Sequence, residues 1–244
     1  MAISLPVDVT VELSDENEIV AADRKVVDEI INSLEIQEKL RIVVNSQIPA
    51  GVGLKSSSAV TSAVALALIG LLRGKLDVDE AVRVSASVSK KLNISVTGAY
   101  DDSYASLLGG LVITSNYEGR LLGRYNVHDE YEVIIGIPGN SKKAINVEGL
   151  RGMSPLGIEL SRMIESGKWA QAMTINGLLV ASANGYDPSP IVGAVREGAI
   201  AAGISGNGPA YFCILNRGSG VPDSFRGLKV IRARPINSGY EILK

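Results

Sequence analysis

Between Pro49 and Leu72 a glycine-bearing loop, P-A-G-V-G-L-K-S-S-S, runs directly into the uncharged stretch A-V-T-S-A-V-A-L-A-L-I-G-L-L. The second half is apolar on nearly every face, so a helix formed there belongs in a core, and a domain has to be built around it. The first half has a different chemistry. Gly51 and Gly53 permit positive φ and close backbone approach, Lys55 supplies a cation, and Ser56, Ser57 and Ser58 bring hydroxyls to the place where the first helical turn begins. The free N–H groups of a helix start, with the positive end of its macrodipole, attract phosphate. The serines can reach a phosphate oxygen or a Mg2+ ion. A rigid anion site is the reading these residues support.

Two widespread glycine loops do not fit. A Walker loop has Gly immediately before its Lys, where this chain has Leu54, and the dinucleotide pattern G-x-G-x-x-G would need Gly where Ser56 stands. The segment instead resembles the phosphate loop of the GHMP kinases (galacto-, homoserine, mevalonate and phosphomevalonate kinases), close to P-x-x-x-G-L-x-S-S-A, with Ser58 as the one departure. A serine-capped core helix behind a turn would explain the serines and the apolar run. It would not explain two glycines, Leu54 and three serines in this order. The resemblance implies that Pro49, Ala50, Gly51, Val52, Gly53, Leu54, Lys55, Ser56, Ser57, Ser58 and Ala59 hold ATP, with Lys55 on the phosphates and Ser57, or Ser56, on the Mg2+ side.

Residues 97–110 read T-G-A-Y-D-D-S-Y-A-S-L-L-G-G. Taken alone, Asp101 and Asp102 are ordinary capping chemistry at a helix start. The surrounding word, however, resembles the GHMP-kinase segment in which an Asp seven residues before a Gly-Gly pair lies beside the acceptor hydroxyl, and that spacing selects Asp102. The whole segment looks most like the archaeal type of shikimate kinase. A third motif, Gly203-Ile-Ser-Gly-Asn-Gly-Pro209, is similar to the S-G-x-G-P of the family, which packs on the phosphate loop. By resemblance, Asp102 and Lys55 are catalytic, Gly206 and Gly208 border the nucleotide, and Thr97, Asp101, Asp102 and Ser205 face the substrate. The Mg2+-binding Glu of the mevalonate branch has no counterpart, since residues 84–96 contain no acid.

The remaining chain supplies a frame. Residues 5–13 alternate like a half-exposed strand, 16–37 carry a helical rhythm, and 40–44 read as a strand feeding the loop. Asp77 and Asp79 open a helix that runs to Leu92, and 111–114 form a strand. Residues 120–127 and 131–138 predict a hairpin turning at His128-Asp129-Glu130. A polar crossover at 140–155, with Lys142, Lys143 and Arg151, leads to helices at 156–166, 168–184 and 189–202. Strands at 210–215 and 228–234 follow. The fold class expected is α+β: a GHMP-kinase-like two-part fold with a phosphate-loop half over residues 1–138, a sheet-and-helix half over 139–244, and ATP and substrate in a cleft between them. The resemblance also implies a strand ahead of Ala2, roughly 20 residues at usual element lengths.

With 24 basic and 26 acidic residues the net charge is -2, which gives no general attraction to nucleic acid or anionic membrane, so the anion site has to be local. A lone Cys213 leaves no internal disulfide, and with no charged-then-apolar leader the expected location is the cytoplasm. His128, the single histidine, sits in a polar turn, so neither a His-Cys metal cluster nor a Ser-His-Asp triad has its parts. The expected chemistry is phosphoryl transfer from MgATP to a hydroxyl of a small molecule, which the resemblance identifies as shikimate. Homoserine or another polyol, or binding of a nucleotide or metabolite without catalysis, are the alternatives. Oligomeric state is left open.

Overall fold

The computed structural model describes residues 1–139 and 143–243, which group into two compact units. The first takes residues 1–49 and 55–127 and the chain from Ile236 onward. It contains β1 (Val7–Leu13), β2 (Glu18–Val20), α1 (Arg24–Ser33), β3 (Leu40–Ser46), α2 (Ser56–Arg73), α3 (Val78–Lys91), α4 (Tyr100–Leu108), β4 (Leu111–Ser115) and β5 (Arg120–Tyr125). Strands order as β1-β3-β2, with β1 antiparallel and β2 parallel to β3. The alternation of β3 explains its placement: Leu40, Ile42 and Val44 are buried, while Arg41 on the other face pairs with Glu12 and Glu18.

Helix α1 starts where the Asp23 carboxylate accepts the Lys25 N–H at 2.9 Å, and α3 where Asp77 accepts that of Glu80 at 2.9 Å. Helix α2 is the one described helix long and apolar enough to cross a membrane by length and composition. Its Val64, Ala65, Leu68 and Ile69 are fully enclosed in the core of this unit, against Val27, Ile30, Ile42 and Val82. Small buried polar residues let its neighbours approach closely; Ser85 of α3 and Ser103 of α4 share a hydrogen bond of 3.2 Å between their hydroxyls. The tail closes the unit: Gly110 donates to the Ile236 carbonyl at 2.7 Å, and the Asn237 amide bonds both the N–H and the C=O of Val127, at 2.8 and 2.7 Å.

The second unit takes residues 50–54 and 128–235. It holds β6 (Tyr131–Ile137), α5 (Val147–Gly152), α6 (Ser154–Glu165), α7 (Trp169–Asn184), α8 (Ser189–Arg196), β7 (Ala201–Ile204), β8 (Tyr211–Asn216) and β9 (Lys229–Ala233). The sheet is antiparallel in the order β7-β8-β6-β9. Ile134, Ile191, Ala194, Ala202, Cys213 and Phe225 form its core, and burial pushes the Cys213 thiol up to about 12.

Five expectations change. Within the stretch 16–37 read as helical, Glu18–Val20 is the strand β2, paired with β3, and the helix is confined to Arg24–Ser33. The hairpin of 120–127 with 131–138 does not form: β5 pairs with β4, and β6 lies between β8 and β9, because the apolar run Val133–Ile135 is buried and needs a strand on either side. The helix at 189–202 stops at Arg196, and Ala201–Ile204 is a strand; Gly198, at φ +94°, separates the two. The crossover contains α5, started by the Asn146 side chain accepting the Gly149 N–H at 2.9 Å. The two units also divide differently from a cut after residue 138. Residues 50–54 join the second because Ala210 donates to the Val52 carbonyl at 3.0 Å, and the first recovers the tail. Lys142 lies outside the described residues.

Candidate active site

The serines do not cap α2. Lys55 is its N-cap residue, in the left-handed region at φ +61°, and no side chain caps the helix. Ser57 is exposed and Ser58 buried. A helix start without a side-chain cap leaves its first-turn N–H groups for a ligand, and Lys55 adds a full charge at the same end. These residues fit the phosphates of a nucleotide.

Within the second unit, residues 50–54 lie against the third glycine motif. Gly53 has φ +91°, and a Cβ there would stand 2.6 Å from the Gly208 carbonyl oxygen and 2.7 Å from that of Ser205. Only glycine fits. The Ser205 hydroxyl donates to the Gly53 carbonyl at 3.1 Å, so it holds the loop backbone. Gly208 in turn lies against the Tyr186 ring, and Asn184 donates to the Asn207 carbonyl at 3.5 Å. Tyr186 and Asn184 are supports that the sequence reading missed, for nothing local to them signals a glycine motif some twenty residues on.

In the first unit α4 begins at Tyr100, with Ala99 as a left-handed N-cap at φ +53°, so Asp101 and Asp102 occupy the first turn and neither is the cap. Asp102 Oδ2 lies 2.9 Å from Lys55 Nζ, yet this buried oxygen completes no directed hydrogen bond. Burial raises the Asp102 carboxyl from an ordinary 3.8 to about 6; the Asp101 charge adds to the rise, and Lys55 opposes it. Burial also works against the Lys55 ammonium, but the charges of Asp102 and Asp101 outweigh it and hold that group above its ordinary value. The result is a carboxylate poised near neutrality beside a fixed cation, which suits a group that takes a proton from a hydroxyl.

Asp101 faces elsewhere. Asn116 Nδ2 donates to its Oδ1 at 2.8 Å and to the Thr97 hydroxyl at 3.4 Å, while the Asp101 N–H donates to Asn116 Oδ1 at 3.3 Å. One amide thus ties together two of the residues expected at the substrate, Thr97 and Asp101. Asn116 itself was not legible in the sequence, since an Asn in the turn after a strand is commonplace. Among the described residues no group of three or more His, Cys, Asp or Glu side chains could hold a metal.

Residues 19–110, from β2 to the glycine pair after α4, match the family model of the GHMP kinases N terminal domain. The chain is 38% identical over 192 residues to a shikimate kinase of Methanothrix thermoacetophila, covering 77% of this chain and 67% of that protein. It is 38% identical over 182 residues to a shikimate kinase of Pyrococcus abyssi, covering 72% of this chain and 65% of the relative. Each match thus spans about two thirds of the relative's length. Among solved structures, a homoserine kinase from Cytophaga hutchinsonii superposes with a TM-score of 0.72 at 18% identity, covering 97% of this chain and 89% of that one. At that identity the likeness concerns the fold.

Proposed function

Since the chain belongs to the GHMP kinase family, we propose that it is a shikimate kinase of the archaeal type, moving a phosphoryl group from ATP to a hydroxyl of shikimate. The product is shikimate 3-phosphate, an intermediate toward chorismate and the aromatic amino acids. The observation that carries the reading is the pairing of Lys55 with Asp102 at the start of a helix without a side-chain cap. The acceptor rests on the 38% identity to the two shikimate kinases.

MgATP, when bound, supplies the phosphoryl group and its leaving group. The chain supplies position and charge, which account for most of the catalysis in such transfers. The first-turn amides of α2 and the Lys55 ammonium are suited to phosphate oxygens, and the Ser57 hydroxyl to the Mg2+ side. The Asp102 carboxylate, whose Oδ2 is held against Lys55, takes the proton of the acceptor hydroxyl. At pH 7 a group with a pKa of about 6 is mostly ionised and ready to accept. Thr97 and Asp101 border the acceptor, and a cytoplasmic location suits a chain whose one cysteine is a buried thiol.

The test is a coupled ADP-release assay with MgATP and shikimate, homoserine or mevalonate in turn. Turnover should be fastest with shikimate by at least about 10²-fold in kcat/KM, the discrimination a site with dedicated polar contacts achieves. Equal or faster turnover of homoserine would remove the acceptor assignment and keep the kinase. No turnover of any acceptor, with ATP still bound, would favour a binding protein.

A further inference from the structure

Helix α4 carries both acidic residues of the site in its first turn, but its N-cap is Ala99, whose side chain cannot accept a hydrogen bond. Its start is held from outside, by the turn that follows β4. Gly119 of that turn, at φ +67°, lies against the Tyr100 ring so closely that a Cβ would stand 2.9 Å from it. Asn116, at the head of the turn, makes two kinds of bond. Its Oδ1 accepts the Asp101 N–H at 3.3 Å and the Thr114 hydroxyl at 2.8 Å, which replaces the missing cap. Its Nδ2 donates to the Asp101 carboxylate at 2.8 Å and to the Thr97 hydroxyl at 3.4 Å. Capping needs only the first arm, and an aspartate or serine would serve as well. The second arm is specific to an amide.

We propose that Asn116 is a positioning residue of the phosphoryl transfer: its amide nitrogen holds the Asp101 carboxylate and the Thr97 hydroxyl as one unit, and so fixes the place of the Asp101 charge beside Asp102. The charged side chains facing Asp102 are Asp101 on its own helix and Lys55 from the start of α2. Asp101 alone among them is negative, and Asn116 is the side chain that fixes it. Freed from Asn116, the Asp101 carboxylate would press on Asp102 and keep it protonated to higher pH. The inference rests on Asp102 being the base in the proposed reaction.

The deciding variant is Asn116→Asp, which keeps an acceptor for the Asp101 N–H and the Thr114 hydroxyl but replaces the donor with a second negative charge. The acid limb of kcat/KM for the acceptor should move up by on the order of 1 pH unit, so that activity falls several-fold at pH 6 and recovers by pH 8.5, with KM for ATP unchanged. Asn116→Ala should move the limb the same way by a smaller amount. A profile that drops in parallel at every pH, or not at all, overturns the proposal and leaves Asn116 as a cap. Should either variant melt too low to assay, Thr114→Val removes one bond to Asn116, and the same upward displacement, smaller in size, is required of it. Carbon-13 titration of the Asp102 carboxyl in the free protein reads the effect without turnover. If Asp102→Asn retains activity, the base assignment falls, while an unmoved Asp102 titration in Asn116→Asp sinks the role of Asn116 alone.

Discussion

Replacing Asp102 with asparagine should make a more stable and nearly inactive protein. The carboxyl of Asp102 sits at about 6 in the folded chain against an ordinary 3.8. A carboxyl whose pKa is raised by folding is disfavoured in its charged form. The cost is absent below the unfolded pKa, grows as pH rises between the two values, and is complete above the folded one. At 1.36 kcal/mol per unit, the shift corresponds to about 3 kcal/mol of lost stability at pH 8. The Lys55 attraction is already included, since it is one of the causes that set the value. Asparagine resembles the neutral carboxyl in size and charge, so Asp102→Asn should recover most of that figure at pH 8 but only about 1 kcal/mol at pH 4.5. For a chain of this length the gain at pH 8 is on the order of 6–12 °C in Tm. Turnover should fall by about 10²–10⁴-fold, the scale of a lost positioned base. Thermal melts across pH, with steady-state kinetics, measure both. A variant no more stable at pH 8, or one whose gain does not change with pH, would refute the account of Asp102 as a charge held against its preference.

Asp101→Asn should lower the Asp102 pKa, because the Asp101 charge is among the causes that raise it; the acid limb of the rate profile should move to lower pH, the opposite of Asn116→Asp, and an unmoved limb would show that the charge does not reach Asp102. Gly53→Ala should cost about 2–4 kcal/mol, from a Cβ driven into two carbonyl oxygens of residues 205 and 208 and from left-handed strain. Gly51→Ala, at φ +76° with nothing within 4 Å, should cost about 1 kcal/mol. Calorimetric titration with ATP should show Gly53→Ala as much the weaker binder of the two, and equal affinities would count against the loop reading.

The features that could be read in the sequence are those whose signal is local. Two glycines, a lysine and three serines ahead of an apolar run place the loop and α2, and Asp77 announces α3 three residues before the N–H it caps. The features that could not be read are set by distant partners. Whether residues 131–137 pair with β5 or with β8 is decided by which neighbours bury Val133–Ile135, and an alternating pattern does not choose between them. Ala201–Ile204 is short, small and apolar, and its strand state depends on β8. For the proposed site, the spacing to a Gly-Gly pair singles out Asp102 in the sequence, whereas Asn116 carries no such mark. The Ser205 hydroxyl was expected at substrate because of its motif, and the structure engages it with the carbonyl of Gly53. Serine capping of α2 and aspartate capping of α4 both give way to left-handed Lys55 and Ala99. A residue's composition cannot announce that conformation.

The tail strap from Ile236 onward has a consequence for biosynthesis. Its bonds to Gly110 and Val127 complete the first unit, but a ribosome delivers it only after all of residues 128–235 have been made. The segment bearing Lys55 and Asp102 therefore emerges early and waits, with the edge at Val127 and Gly110 unsealed, while the second unit is translated. For this chain synthesis order and assembly order differ: the α2 core can collapse on the nascent chain, but the first unit closes last.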